Sequence, residues 1–293
     1  MSAYSLFSDG TVRQGLPMSL NLERATSLIV ERARELVNRL IEDRGHHKPP
    51  FLSEEFARLQ GIKRIMKADL GETSAVLLRF HDGYVIKVNQ NHNLARQNFS
   101  CAHEIGHLLF SELKLEPYIH GIEYRTFDPQ GEQKARAKAR ERLCEAAATE
   151  LLMPEVVFEK YLSGFGVTVH SIERLANIFR VSIWAAAWRI AEVSIEPCIA
   201  LRWLLRPGTK SKALRLAWRV GPGVKTIGKT NYMPVHTLVR HNSTLYKAYQ
   251  DDSPVKGHKL FKLDNVVKRC PMESRGFGRK ETRYVISLAF PER

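Results

Sequence analysis

The hydrophobic positions of the chain change period along its length. From Asn21, which offers an N-cap side chain, Leu22, Ala25, Ile29, Ala33, Leu36 and Leu40 recur every three or four residues up to Gly45. That spacing predicts one long amphipathic helix, whereas residues 1–20 lack a period and read as a leader. Ser53 opens a short helix, followed by strand-like runs. Two of these, Ser74–Phe80 and Tyr84–Asn89, flank His81-Asp82-Gly83, where Asp-Gly favours a hairpin turn. Residues 94–112 return to a helical period, with Phe99, His103, Gly106, His107 and Phe110 on one side. Residues 116–131 are polar and loop-like, and a second long helix is predicted from about Glu132 to Met153, stopped by Pro154.

Ser171 to Ser182, continuing through Ala191, reads as helix, short turn, helix, an arrangement like a helix-turn-helix. A DNA reader presents Arg, Lys, Asn or Gln from its second helix, and this one presents Ile183, Trp184, Ala185, Ala186 and Ala187, so packing explains it better. Beyond Pro197 the period becomes two. Ile199, Leu201, Trp203 and Leu205 alternate with Arg202 and Arg206; Leu214, Leu216, Trp218 and Val220 with Arg215 and Arg219; Tyr284, Ile286, Leu288 and Phe290 follow Arg283. These are predicted as half-buried strands with basic outer faces. With a helix expected near Pro234–Tyr249, they suggest an antiparallel-sheet domain, and the whole chain reads as α+β.

Composition narrows the class. The chain has 293 residues, 44% hydrophobic and 26% charged, which fits a folded protein of two modest domains. The longest uncharged apolar stretch, Val181–Trp188, is far shorter than the roughly 20 residues of a membrane span. The first residues show no secretory signal, so the expected location is cytoplasmic. Cys101, Cys144, Cys198 and Cys270 form no CxxC pair and read as reduced, buried thiols. Net charge is +14, but residues 1–193 hold 25 Lys and Arg against 24 Asp and Glu, while residues 194–293 hold 20 against 7. Any attraction for DNA or another anionic partner therefore belongs to the last hundred residues.

The candidate chemistry lies in His103-Glu104-Ile105-Gly106-His107, within SCAHEIGHLLF. Helical residues four apart lie one above the other, so both imidazoles reach a single ion while Glu104 flanks it. Zinc in a catalytic site takes three protein ligands and keeps a fourth place for water, whose proton a neighbouring glutamate can accept. A third ligand must come from another element. The predicted helix 132–153 offers Glu141, in line with Cys144, Ala148 and Leu151, and Glu145 one turn on; spacing alone does not separate ligand from supporting partner.

The pairing of NFSCAHEIGHLLF with ERLCEAAATELLMP resembles the ImmA/IrrE family of metallopeptidases. The resemblance implies a zincin-like core with Zn2+, or another divalent metal, held by His103, His107 and Glu141. It implies Glu104 as general base and acid and, by analogy, Glu145 as partner of a histidine. Tyr84–Val88 and Asn89 match the family's edge strand, which can pair with an extended peptide. His107 and Glu141 stand 34 positions apart, so the intervening loop reads as an insertion shaping the cleft. Tyr118, His120 and Tyr124 in that loop are the candidate oxyanion stabilisers.

The organisation expected on this basis is a leader at 1–20, a metallopeptidase domain at 21–160, a helix-turn-helix-like segment at 161–196 and a GAF-like regulatory domain at 197–293. The resemblance further implies a regulatory endopeptidase whose protein substrate is a helix-turn-helix repressor controlling stress-response or mobile-element genes. The rival readings are a non-catalytic regulator that keeps the metal structurally, and a sensor whose peptidase core serves only as a binding surface.

Overall fold

The apolar stripe of the first helix, α1 (Met18–Arg44), is realised as predicted: Ala25, Ile29, Ala33, Leu36 and Leu40 are fully buried. The helix starts at Met18, before the expected cap, so Asn21 lies inside it rather than capping it. Gly45 ends it in the left-handed region, at φ 64°, its amide bonded to the Ile41 carbonyl. The computed structural model describes residues 18–119, 129–205, 213–221, 237–240, 243–263, 266–279 and 282–291. Contacts divide it into two units, one holding the residues up to His47 and Phe51–Leu152, the other Lys48–Pro50 and the residues from Met153 onward.

In the first unit, α2 (Ser53–Leu59) leads into a sheet of β1 (Ile62–Ala68), β2 (Ala75–Phe80) and β3 (Gly83–Asn89), in the order β1-β3-β2. The hairpin turn is shifted by one residue from its expected place. Gly83 pairs with Phe80, leaving His81 and Asp82 at the tip, and the pairing uses a φ of 139° that favours glycine. A larger correction concerns Tyr84–Asn89. This strand lies in the middle of the sheet, parallel to β1 and antiparallel to β2, so the free edges are β1 and β2. Its Val85, Ile86 and Val88 are buried, as a central strand requires.

The buried side chain of Asn89 ties the end of β3 to the loop before β2, donating to the carbonyls of Gly71 and Thr73 at 2.8 Å each. Four residues on, Asn93 caps α3 (Leu94–Glu112) by accepting from the Arg96 amide at 2.9 Å. The next helix, α4 (Glu116–Ile119), occupies part of the predicted loop, and α5 (Pro129–Leu152) begins three residues before the expected Glu132. α3 and α5 cross closely because small residues meet there. Ala102, Gly106, Cys144, Ala147 and Ala148 are all buried. The ion pairs Arg32–Glu112 (2.8 Å) and Arg34–Glu150 (3.2 Å) tie α1 to the two helices.

In the second unit, α6 (Glu155–Phe165) precedes the predicted helix pair, α7 (Val169–Phe179) and α8 (Ile183–Val193), which Thr168 and Ser182 cap. The strands β4 (Ile199–Leu205), β5 (Ala213–Val220), β6 (Leu238–Arg240), β7 (Val255–Leu263), β8 (Val266–Phe277) and β9 (Tyr284–Ala289) form one antiparallel sheet, ordered β6-β5-β4-β9-β8-β7. Of the helix expected near Pro234–Tyr249, residues 234–236 and 241–242 lie outside the described residues; Leu238–Arg240 form the strand β6, and α9 spans Thr244–Gln250. α9 covers one face and α7 with α8 cover part of the other.

Two features depart from the half-buried pattern, the first because both faces are covered and the second because of a bulge. Val285 and Ala289 lie under α9 with Trp203, while Ile286 and Leu288 are fully buried on the opposite side of the same strand. In β5 the pairing passes from Leu216↔Trp203 to Trp218↔Arg202, so Ala217 is an extra, bulged residue. Trp218 is thereby turned outward and is 57% exposed, where the alternation predicted it inward.

The α3–α5 crossing yields a prediction. A Cβ on Gly106 would come within 2.8 Å of the Cys144 carbonyl oxygen and 2.9 Å of its Cα. Gly106→Ala should cost about 1–3 kcal/mol, because a backbone must move. Gly164→Ala in α6, which meets nothing within 4 Å, should be neutral or stabilising by up to about 1 kcal/mol. Urea unfolding followed by circular dichroism compares the two.

Candidate metal centre

The two histidines project from successive turns of α3, and Glu141 reaches them from α5. His103 Nε2 lies 3.0 Å from Oε2 of Glu141, and His107 Nε2 lies 3.7 Å from Oε1. The imidazole rings stand edge to face, their centroids 4.9 Å apart at 82°. One ligand atom from each of the three residues falls within 4.8 Å of the others. Two imidazole nitrogens and a carboxylate oxygen are the donor chemistry that zinc accepts, and they leave room for a further ligand. Exposure rises across the group, from 15% for the His103 side chain to 27% for His107 and 53% for Glu141, so the open side adjoins the glutamate.

Glu104 lies between the histidines in sequence and turns toward β2, where its carboxylate is hydrogen-bonded to the Leu77 main chain. Burial raises its pKa above the usual glutamate range, against the opposing pull of His103. Burial also lowers the pKa of His107, assisted by the charges of His103 and Arg140, which favours the neutral imidazole that can bind a metal. β2, one of the two edge strands, therefore flanks the candidate base.

The sequence reading treated Cys144 as a packing residue, and the structure brings its thiol to the cluster. Its Sγ lies 3.3 Å from Nδ1 of His107. Burial raises the thiol's pKa, with Glu141 adding to the effect, so it stays protonated at neutral pH. An imidazole offering Nε2 to a metal carries its proton on Nδ1, where this sulfur is a neutral acceptor. The signal available in the sequence was the spacing: Cys144 stands one turn after Glu141 on the face that meets Gly106.

Glu145 is exposed, and no hydrogen bond joins it to either imidazole among the described residues. Tyr118 sits in α4, which packs on α1 and α5, and no hydrogen bond or ring contact joins it to the cluster among the described residues. His120 and Tyr124 lie outside the described residues.

Comparison with known proteins agrees with this geometry. The profile of the IrrE N-terminal-like domain matches residues 60–191. The chain is 34% identical over 116 residues to the radiation response metalloprotease IrrE of Deinococcus radiodurans, a match covering 39% of this chain and 33% of that protein. It is 33% identical over 117 residues to the protein of the same name from Deinococcus deserti, covering 40% and 39%. The match thus spans well under half the length of these curated relatives. Among solved structures, a Mycobacterium tuberculosis transcriptional regulator superimposes with a TM-score of 0.59 over 94% of this chain and 82% of its own, at 13% identity, a likeness of fold.

Removing the sulfur should weaken the site without emptying it. Cys144→Ala is expected to lower zinc affinity about tenfold or more, and Cys144→Ser, which keeps an acceptor, to restore most of it. Chelator competition on the two purified variants measures both.

Proposed function

We propose that the chain, whose residues 60–191 match the IrrE N-terminal-like domain, is a zinc-dependent endopeptidase of the ImmA/IrrE family acting on a regulatory protein. The observation that carries this reading is the convergence of His103, His107 and Glu141 within 4.8 Å, beside a half-buried Glu104. In the proposed mechanism these three residues hold the metal, which when bound lowers the pKa of water and polarises the scissile carbonyl.

Glu104 accepts the proton of the attacking water on its carboxylate and returns it to the leaving nitrogen. Its raised pKa suits both halves of that transfer. An extended substrate would lie along β2, the free edge beside Glu104, where main-chain pairing supplies affinity without demanding a particular sequence.

The substrate proposed is a helix-turn-helix repressor, cleaved to release stress-response or mobile-element genes, in the cytoplasm. Support comes from the family and from the relatives' names as radiation response proteases. Among the described residues no helix is long and apolar enough to cross a membrane. We read the six-stranded C-terminal sheet as a GAF-like regulatory domain, on the strength of its helix-covered antiparallel architecture. Its excess of cations favours attraction to DNA carrying the repressor, an attraction that should weaken steeply as salt is raised.

The test is incubation of the purified chain with a co-encoded repressor, with and without chelator. Glu104→Gln should retain zinc and lose cleavage by at least about a hundredfold. Glu141→Ala should lose both. A Glu104→Gln variant that keeps its biological effect would instead favour the rival reading, a regulator with a structural metal.

A further inference from the structure

From Pro197 to Gln250 the chain carries ten Lys and Arg and no Asp or Glu. Where this stretch ends, the start of α9 meets the edge strand β7, and a cavity of about 340 Å³ opens between them, lined by Thr244, Gly257, His258, Lys259, Leu260 and Arg269. A tighter recess of about 90 Å³ shares the first four of these residues and reaches inward to Met272 and Ser274.

Lys259 is the informative residue. It pairs across the sheet with Cys270, which belongs to the core beneath α9, so its side chain starts on the α9 face. It is half-buried, and burial lowers its pKa, with no carboxylate contributing. Three other cations of the sheet have acidic partners: Lys256 with Glu273 at 3.5 Å, Arg275 with Glu173 at 2.6 Å and Arg283 with Asp252 at 3.0 Å. Lys259 has none among the described residues. A half-desolvated ammonium without a counter-charge is unfavourable, and an anion entering the cavity would offset that cost.

Gly257 contributes the space. A Cβ there would make only ordinary contact with the Thr244 side chain, at 3.7 Å, so a larger residue would be tolerated by the backbone and would occupy the cavity. The opening is therefore a consequence of this residue type rather than of a strained turn.

We propose that this cavity binds a small phosphate-bearing metabolite. Lys259 and Thr244, on the α9 side, offer an ammonium and a hydroxyl, and His258 and Arg269 also line the opening, a set that suits the several oxygens of a phosphoryl group. Its volume is at the lower end of small-molecule sites and far below the footprint of a nucleic acid or a folded partner. The assignment is independent of the zinc site and of any peptidase activity.

Calorimetric titration of the full chain with inorganic pyrophosphate tests it, with citrate as a carboxylate comparator. Saturable pyrophosphate binding is expected, stronger than citrate binding. Lys259→Gln should weaken it at least about tenfold, and so should Gly257→Met, which fills the space without altering charge. Lys247→Gln, which removes an exposed cation from α9, should change it less than about twofold. Absence of saturable binding, or tighter binding of citrate, would overturn the assignment. So would affinity that survives Gly257→Met or falls equally with Lys247→Gln, since either marks diffuse attraction to a basic surface.

Discussion

Close approach of α3 and α5 is the constraint on which the rest of the site depends. His103 and Glu141 meet at 3.0 Å across a crossing whose two backbones are held close together, which fixes where the side chains converge. Gly106 against the Cys144 backbone makes that possible, and the alanines at 102, 147 and 148 extend the contact to either side. Apolar burial along α1 then holds the pair from behind. The ligand geometry is thus a packing result before it is a chemical one.

Electrostatics follows from the same packing. Burial disfavours charge on His107 and on Glu104, the first becoming a better donor to a cation and the second a more competent proton carrier. The thiol beneath His107 supports the ring without adding a negative charge. A carboxylate in that place would donate more electron density through the imidazole and blunt the Lewis acidity of an ion bound there. The opening of the cluster on the Glu141 side and the free edge of β2 leave the approach to Glu104 unobstructed by the sheet's own pairing.

Much of this was legible in the residues, and the exceptions share a cause. Local signals were read well: the bounds of α3 and the α7–α8 pair follow from caps and periodicity that act over a few positions. Non-local relations were not. Tyr84–Asn89 has the same sequence whether its neighbours number one or two, and only the return of β1 alongside it makes the strand central. Trp218 reads as inward because alternation assumes an unbroken ladder, and one bulged alanine reverses its phase. At Cys144 a small, buried residue gives the same pattern whether its sulfur meets a methyl group or an imidazole.

The bulge at Ala217 also splits the optical character of one sheet. Trp203, fully buried with its indole nitrogen bonded to Ser287 at 3.1 Å, and Trp218, largely in water, sit on adjacent strands on either side of that irregularity. Such a difference in environment sets the first toward blue, shielded emission and leaves the second open to collisional quenchers. Beside Trp184 and Trp188 of α8, the C-terminal sheet thus carries two fluorophores of its own, one reporting the integrity of its interior and the other events at its surface.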